Sequence, residues 1–241
     1  MPRYHFPPAR TTLPDMGSDQ SSADVNPSAD VNPSADHYFS SRPAGPEKRR
    51  PLQVVLAGEQ RNLSTSGGIF SPDGVDKGTA ILLAEAPPPS PTGNLLDIGC
   101  GWGPIALTLA LRSPGAAVYA VDVNARSIAL TRDNAQALGL HNVRASHPDD
   151  VDPGLEFTTI WSNPPIRVGK DELHSLLLHW LPRLAPGGAA YLVVQKNLGS
   201  DSLQRWLDAE LRLRFPGGGF RVSRDSTAKS FRILKVARAS S

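Results

Sequence analysis

From Asn94 onward the chain alternates short apolar runs with amphipathic ones, and this order constrains the fold more than any other feature. NLLDI reads as a strand, PIALTLALRS as a helix, AAVYAVD as a strand and ARSIALTRDNAQALG as a helix. HNVRA and FTTIWS follow as strands, KDELHSLLLHWLPRLA as a helix, GGAAYLVVQ as a strand and SDSLQRWLDAELR as a helix. Such alternation builds an α/β domain with a largely parallel sheet and helices on both faces. FRVSR and SFRILKVAR have no helix between them, so they are predicted to be antiparallel neighbours. Ligands of such sheets bind outside the carboxyl ends of the strands, so the residues just after each strand are the first candidates for function.

The 241 residues, 39% of them apolar, suit one sizeable domain with appendages. Residues 22–36 repeat SADVNP and offer almost nothing to bury, which predicts a disordered low-complexity tail over residues 1–36. QVVLAG and RNLSTS flank GEQ as the arms of a hairpin, and VDKGTAILLAEA has helical spacing. Residues 37–90 are thus expected to form a small N-terminal subregion, too poor in apolar residues to stand alone, with residues 91–241 as the main domain.

No segment reaches the roughly 18 apolar residues of a membrane span, and MPRYHFPPAR lacks the apolar core of a secretory signal, so a cytoplasmic location without a membrane partner is expected. Cys100 is the single cysteine and can form neither an internal disulfide nor a structural zinc set. His174 and His179 are five apart, off the i, i+4 spacing of a helical metal pair, so no metal is expected. Charge is uneven: residues 1–36 hold five Asp against two Arg, while residues 205–241 hold nine Lys or Arg against three acids. Residues 42–61 are basic too, and together these segments suit a polyanionic partner.

After the first strand stands DIGCGWGP. Gly99, Gly101 and Gly103 let the backbone turn sharply and approach a ligand, and Pro104 opens a helix whose free N–H groups face the same place. The G-x-G-x-x-G of nicotinamide and flavin enzymes would put its third glycine where Pro104 stands. Asp97 beside this turn suits a ligand carrying a cationic amino group. The second strand ends in Asp122, placed to accept from both hydroxyls of a ribose, with Asn124 as a competing helix cap. Trp102 sits inside the glycine turn, where it can pack on a ligand or on the protein.

FTTIWS ends at Asn163-Pro164-Pro165. Each proline holds the residue before it extended and neither has an N–H, so the corner displays acceptors only: the Asn163 side-chain oxygen and the Pro164 carbonyl. Two fixed acceptors suit an NH2 group. Holding both hydrogens out of position weakens the delocalisation of the nitrogen lone pair and aims it at an electrophile, so orientation can replace a strong general base.

Here the chain resembles the class I S-adenosylmethionine-dependent methyltransferases: DIGCGWG matches their cofactor loop, Asp122 their ribose acid and SNPP their amino-methylating motif. The longer matches GGIFSPDGVDKGT and SNPPIRVGK resemble the small-domain ribosomal RNA guanine-N2 methyltransferases, over residues 50–238. The resemblance implies a Rossmann-like sheet of about seven strands, mostly parallel with the last antiparallel. It also implies S-adenosyl-L-methionine as cofactor, and ribosomal RNA or a ribosomal subunit as partner. Asp97, Gly99, Gly101 and Gly103 would cradle the methionine part, Asp122 the ribose, and Asn163 with Pro164 the target amine. Gly68, Phe70 and Asp76 fall in the segment that closes over the site, where Phe70 either stacks on a base or joins the core. Ile166 replaces the aromatic residue usual after the second proline in DNA-adenine and protein-glutamine methylating relatives. Ser146, His147 and Asp149 are all candidates for the adenine contact after the third strand. Arg167 and Lys170 are placed to meet substrate phosphates. Two other functions fit the corner less well: methylation of a protein glutamine, and cofactor-dependent RNA binding without turnover.

Overall fold

Neighbouring side chains in the predicted strands are both apolar, as a sheet covered on its two faces requires. The computed structural model of the chain describes residues 47–240, all within one compact unit. The expected tail over residues 1–36 lies outside the described residues, as does the side chain of Arg167. A hairpin of β1 (Arg49–Leu56) and β2 (Glu59–Ser66) comes first, then helix α1 (Lys77–Glu85). The main sheet contains β3 (Thr92–Ile98), β4 (Gly115–Val121), β5 (Val143–Ser146), β6 (Phe157–Ser162), β7 (Leu184–Gln195), β8 (Phe220–Ala228) and β9 (Phe231–Arg238). These seven strands lie in the order β5-β4-β3-β6-β7-β9-β8. Strand β9 alone runs against the others, antiparallel to β7 on one side and β8 on the other.

Helices α2 (Pro104–Arg112) and α3 (Ala125–Ala137) share one face with α1, while α4 (Lys170–Trp180) and α5 (Ser200–Arg214) cover the other. Alternate residues divide between two cores. Leu95, Val118, Trp161 and Val193 pack with Leu82, Ile105 and Leu109 on the first face. Leu96, Ile98, Ile160 and Leu192 pack with Leu177, Trp180 and Leu207 on the second. The hairpin has its own apolar cluster: Leu52, Leu56, Leu63 and Ile69 meet Trp102, Leu107 and Leu130 of the main domain. Asn134 of α3, fully buried, pins it, donating to the carbonyls of Ser64 and Trp102 at 2.9 Å and accepting from the Ser64 N–H at 2.8 Å.

The chain winds from β3 outward to β4 and β5, then returns to place β6 on the other side of β3. This reversal opens a crevice at the carboxyl ends of β3 and β6. Their register sets Ile98 beside Ser162, and the Ser162 hydroxyl donates to the Ile98 carbonyl at 2.8 Å. The glycine turn and the proline corner therefore emerge side by side.

Candidate active site

Gly99, Gly101 and Gly103 all have left-handed backbones, with φ of 80°, 57° and 102°. A Cβ on Gly99 would meet nothing within 4 Å, and one on Gly101 only the Phe70 carbonyl at 3.8 Å, so both leave bare backbone facing an open space. Gly103 does something else. A Cβ there would come within 3.2 Å of Thr131, so this glycine lets the turn close against α3.

Asp97 lies beneath the turn, fully buried. Its Oδ2 accepts the Ala106 N–H at 3.0 Å, while Oδ1 has no partner. Burial pushes its pKa up to about 8, against the pull of the Ala106 N–H. Asp122 accepts the Gly101 N–H at 3.0 Å and the Asn124 N–H at 2.9 Å. Burial raises its pKa too, and those N–H groups oppose the shift. Asn124, not Asp122, caps α3, its side chain accepting from the Arg126 N–H. Asp122 does not cap α3 but is held by donors from the turn and from the start of that helix, the Ser127 side chain and the Val123 N–H among them.

A cavity opens above the turn, lined by Phe70, Asp76, Thr79, Gly99, Trp102 and Asn163 among others. The Asn163 Nδ2 group donates to Asp76 Oδ2 at 2.9 Å and to Thr79 Oγ1 at 3.1 Å. The Thr79 hydroxyl in turn donates to Asp76 at 2.5 Å. No donor among the described residues reaches Asn163 Oδ1. The Pro164 carbonyl is not wholly free as the sequence suggested: it accepts the Ile166 N–H at 2.8 Å across an inverse γ-turn, with Pro165 at φ −74° and ψ 77°. One lone pair remains, and the turn fixes where it points. Ile166 packs against the second core and does not line the cavity.

Residues 67–76 close one wall. The Trp102 indole N–H donates to the Ser71 carbonyl at 3.1 Å, and the Asn124 side chain to the Gly68 carbonyl at 2.9 Å. Trp102 is itself 1% exposed, whereas Phe70 is 52% exposed at the cavity and so is not a core residue. Lys170 is exposed in the first turn of α4. Ser146 ends β5, His147 and Asp149 follow it, and none of them lines the cavity. His174 stacks on Trp206, ring centres 3.3 Å apart. Among the described residues no helix is long and apolar enough to cross a membrane. Thr79 and Ser71 also line the cavity; both lie within GGIFSPDGVDKGT, the stretch that carries the family resemblance, yet only Gly68, Phe70 and Asp76 of it were singled out.

The family model described as methyltransferase small domain matches residues 60–222. The chain belongs to this family. As a member of the methyltransferase small domain family it has S-adenosylmethionine as its cofactor. It is 32% identical over 169 residues to the uncharacterized protein YbxB of Bacillus subtilis, covering 69% of this chain and 84% of that one. It is also 32% identical over 178 residues to the ribosomal RNA small subunit methyltransferase C of Pseudomonas syringae, covering 72% of this chain. The match covers 53% of that relative, so the chain spans about half the length of such methyltransferases. The fold is shared with the Thermus thermophilus 16S rRNA N2 G1207 methyltransferase solved with AdoMet and guanosine (TM-score 0.63, 24% identity, 80% of this chain and 51% of that one).

Proposed function

We propose that this protein methylates the exocyclic N2 amine of a guanine in ribosomal RNA. One observation carries the reading: Asn163, whose side-chain oxygen meets no donor among the described residues, lines a glycine-walled cavity and is followed directly by Pro164, buried, with a half-engaged carbonyl. The curated relatives named for ribosomal RNA, and the structural neighbour holding guanosine, support the choice of amine. Within this reading, residues 91–241 form the catalytic domain and the subregion before Pro91 lies on the substrate side.

The chain's residues fit the cofactor. The buried, unpartnered Asp97 Oδ1 suits an ammonium group, the bare backbone of Gly99 and Gly101 admits close approach, and Asp122 can take two ribose hydroxyls. Val123, apolar and 40% exposed beside Asp122, offers a surface to an adenine ring. When bound, S-adenosylmethionine supplies a methyl carbon made electrophilic by its sulfonium; transfer forms an N–C bond, breaks the S–C bond and leaves a proton for water to remove. Asn163 Oδ1 and the Pro164 carbonyl accept the two amine hydrogens, which keeps the nitrogen lone pair from delocalising into the ring. Phe70 gives the base an exposed ring to lie on.

Many arginines of the basic segments are already neutralised: Arg49 pairs with Glu47, Arg61 with Glu59, Arg224 with Asp201 and Arg238 with Glu156. Lys77, Lys170, Lys196 and Lys229 are exposed at element ends near the strand carboxyl edge, and none forms an ion pair among the described residues. The Lys196 N–H donates to the Ser230 carbonyl at 2.8 Å, which brings two of the four together. These lysines are assigned to RNA phosphates.

The test is transfer of labelled methyl from S-adenosylmethionine to ribosomal subunits or RNA from cells lacking this protein. N2-methylguanosine is the expected product, and label on adenosine or on protein overturns the substrate. Asn163→Ala is expected to keep cofactor affinity and to lose about 10²–10³-fold in turnover.

A further inference from the structure

Resting on that reading, we propose that Asp76 is a positioning residue which decides that Asn163 presents its oxygen, and not its nitrogen, to the target amine. An asparagine amide has two nearly isosteric orientations, and only one of them leaves an acceptor in the cavity. Asp76 can only accept. Its Oδ2 lies 2.9 Å from Asn163 Nδ2, and Thr79 Oγ1 lies 3.1 Å from the same nitrogen. The Thr79 hydrogen is committed to Asp76, so the hydroxyl turns a lone pair toward Asn163. The Asp76 and Thr79 oxygens are only 2.5 Å apart, so they share one amide hydrogen in a three-centre bond.

If the amide turned over, its oxygen would face a carboxylate oxygen and a hydroxyl with no hydrogen left to give. The misoriented state can gain a hydrogen bond only by taking the Thr79 hydrogen away from Asp76, and it sets one electron-rich oxygen against another. The carboxylate also polarises the amide, shifting electron density to Oδ1 as positive charge grows on the attacking nitrogen. The packing leaves little room for another arrangement: a Cβ on Gly78 would stand 3.2 Å from the Phe231 ring and 3.4 Å from Asn163 Nδ2. Asp76 has a second duty, capping α1 by accepting from the Gly78 N–H at 2.7 Å. An asparagine caps a helix equally well, so substitution can separate the two.

Asp76→Asn keeps the cap but sets an NH2 group against the Asn163 NH2. The expected result is a loss of about 10²-fold in kcat with the melting temperature, cofactor affinity and KM for RNA nearly unchanged. Asn163→Asp alone opposes two carboxylates and should be as poor. The double variant restores a donor at position 76 facing an acceptor at position 163, and is expected to exceed either single variant by about tenfold or more. A fully active Asp76→Asn, or a double variant no better than the singles, would reduce Asp76 to a helix cap and overturn the inference. A second readout needs no RNA: with nitrogen-15 asparagine, the Asn163 side-chain amide pair, identified by its loss in Asn163→Asp, should exchange slowly and exchange about tenfold faster in Asp76→Asn. Fast exchange in the native protein, or no change in the variant, overturns the inference whatever the substrate. A protected amide in a protein that methylates no guanine instead overturns the functional reading alone.

Discussion

Asp97 joins full burial to an oxygen without a donor, which ties pH to stability and to binding at one residue. Its pKa of about 8 stands above the ordinary 3.8, so the folded protein holds a proton that the unfolded chain has released across this window. Stability from this group therefore falls as pH rises from about 4 to about 8, and the cost is complete above that. A cationic amine at Oδ1 favours the ionised form, so cofactor binding should release a proton and tighten with pH over the same range. Asp97→Asn is expected to melt with a smaller loss of Tm between about pH 6 and about pH 9 than the native protein, and to bind cofactor more weakly at high pH. Thermal melts and titration calorimetry in two buffers of different ionisation enthalpy check both; parallel pH slopes would remove Asp97 from the account. Asp97 could be singled out in the sequence because it stands beside the glycine turn, and Asp122 because it follows the second strand. The burial of Asp97 was not, since it depends on what α2 and the turn cover.

At the scale of elements, the segment 67–76 is tied to the rest of the chain by Arg50, Asn124, Arg126 and Asn163, and midway along it by the Trp102 indole N–H on the Ser71 carbonyl. Trp102→Phe keeps an aromatic ring in the cluster with Leu52 and Leu107 but loses this bond, a change on the order of 1 kcal/mol. Hydrogen exchange of residues 67–76 is expected to quicken by about fivefold more than that of the main sheet, which reports the stability lost with the smaller buried ring, and cofactor affinity to fall by a similar factor. Exchange quickened no more in this stretch than in the sheet would mean that the other ties and the hairpin packing hold it. The helix and strand order could be read from periodicity because it is a short-range property. The tie between Trp102 and Ser71 could not, nor could that between Asp76 and Asn163, 87 residues apart. Both join loops whose meeting is decided by the sheet. Asn163-Pro164-Pro165 was legible as a rigid acceptor corner, yet the Ile166 N–H on the Pro164 carbonyl follows from a γ-turn that neither proline dictates.

For the molecule as a whole, the lysines at the strand carboxyl edge, without ion pairs among the described residues, give a quantitative expectation. Replacing Lys196 and Lys229 together by Gln should weaken RNA binding at every sequence and reduce the slope of log affinity against log salt by about 1 for each phosphate no longer neutralised. The same change at ion-paired Arg224 and Arg238 should alter the slope less, and filter binding across a salt series separates the cases. The antiparallel pairing of the final two strands could be read from the missing helix between them, but their order could not. Strand β9 lies inside β8, wedged between it and β7. Synthesis delivers these strands in the opposite order. Until Ile233, Leu234 and Val236 have left the ribosome, β7 keeps a bare apolar flank and β8 has nothing to join, so a nascent chain stopped before Phe231 should be a client for chaperones rather than a nearly finished enzyme.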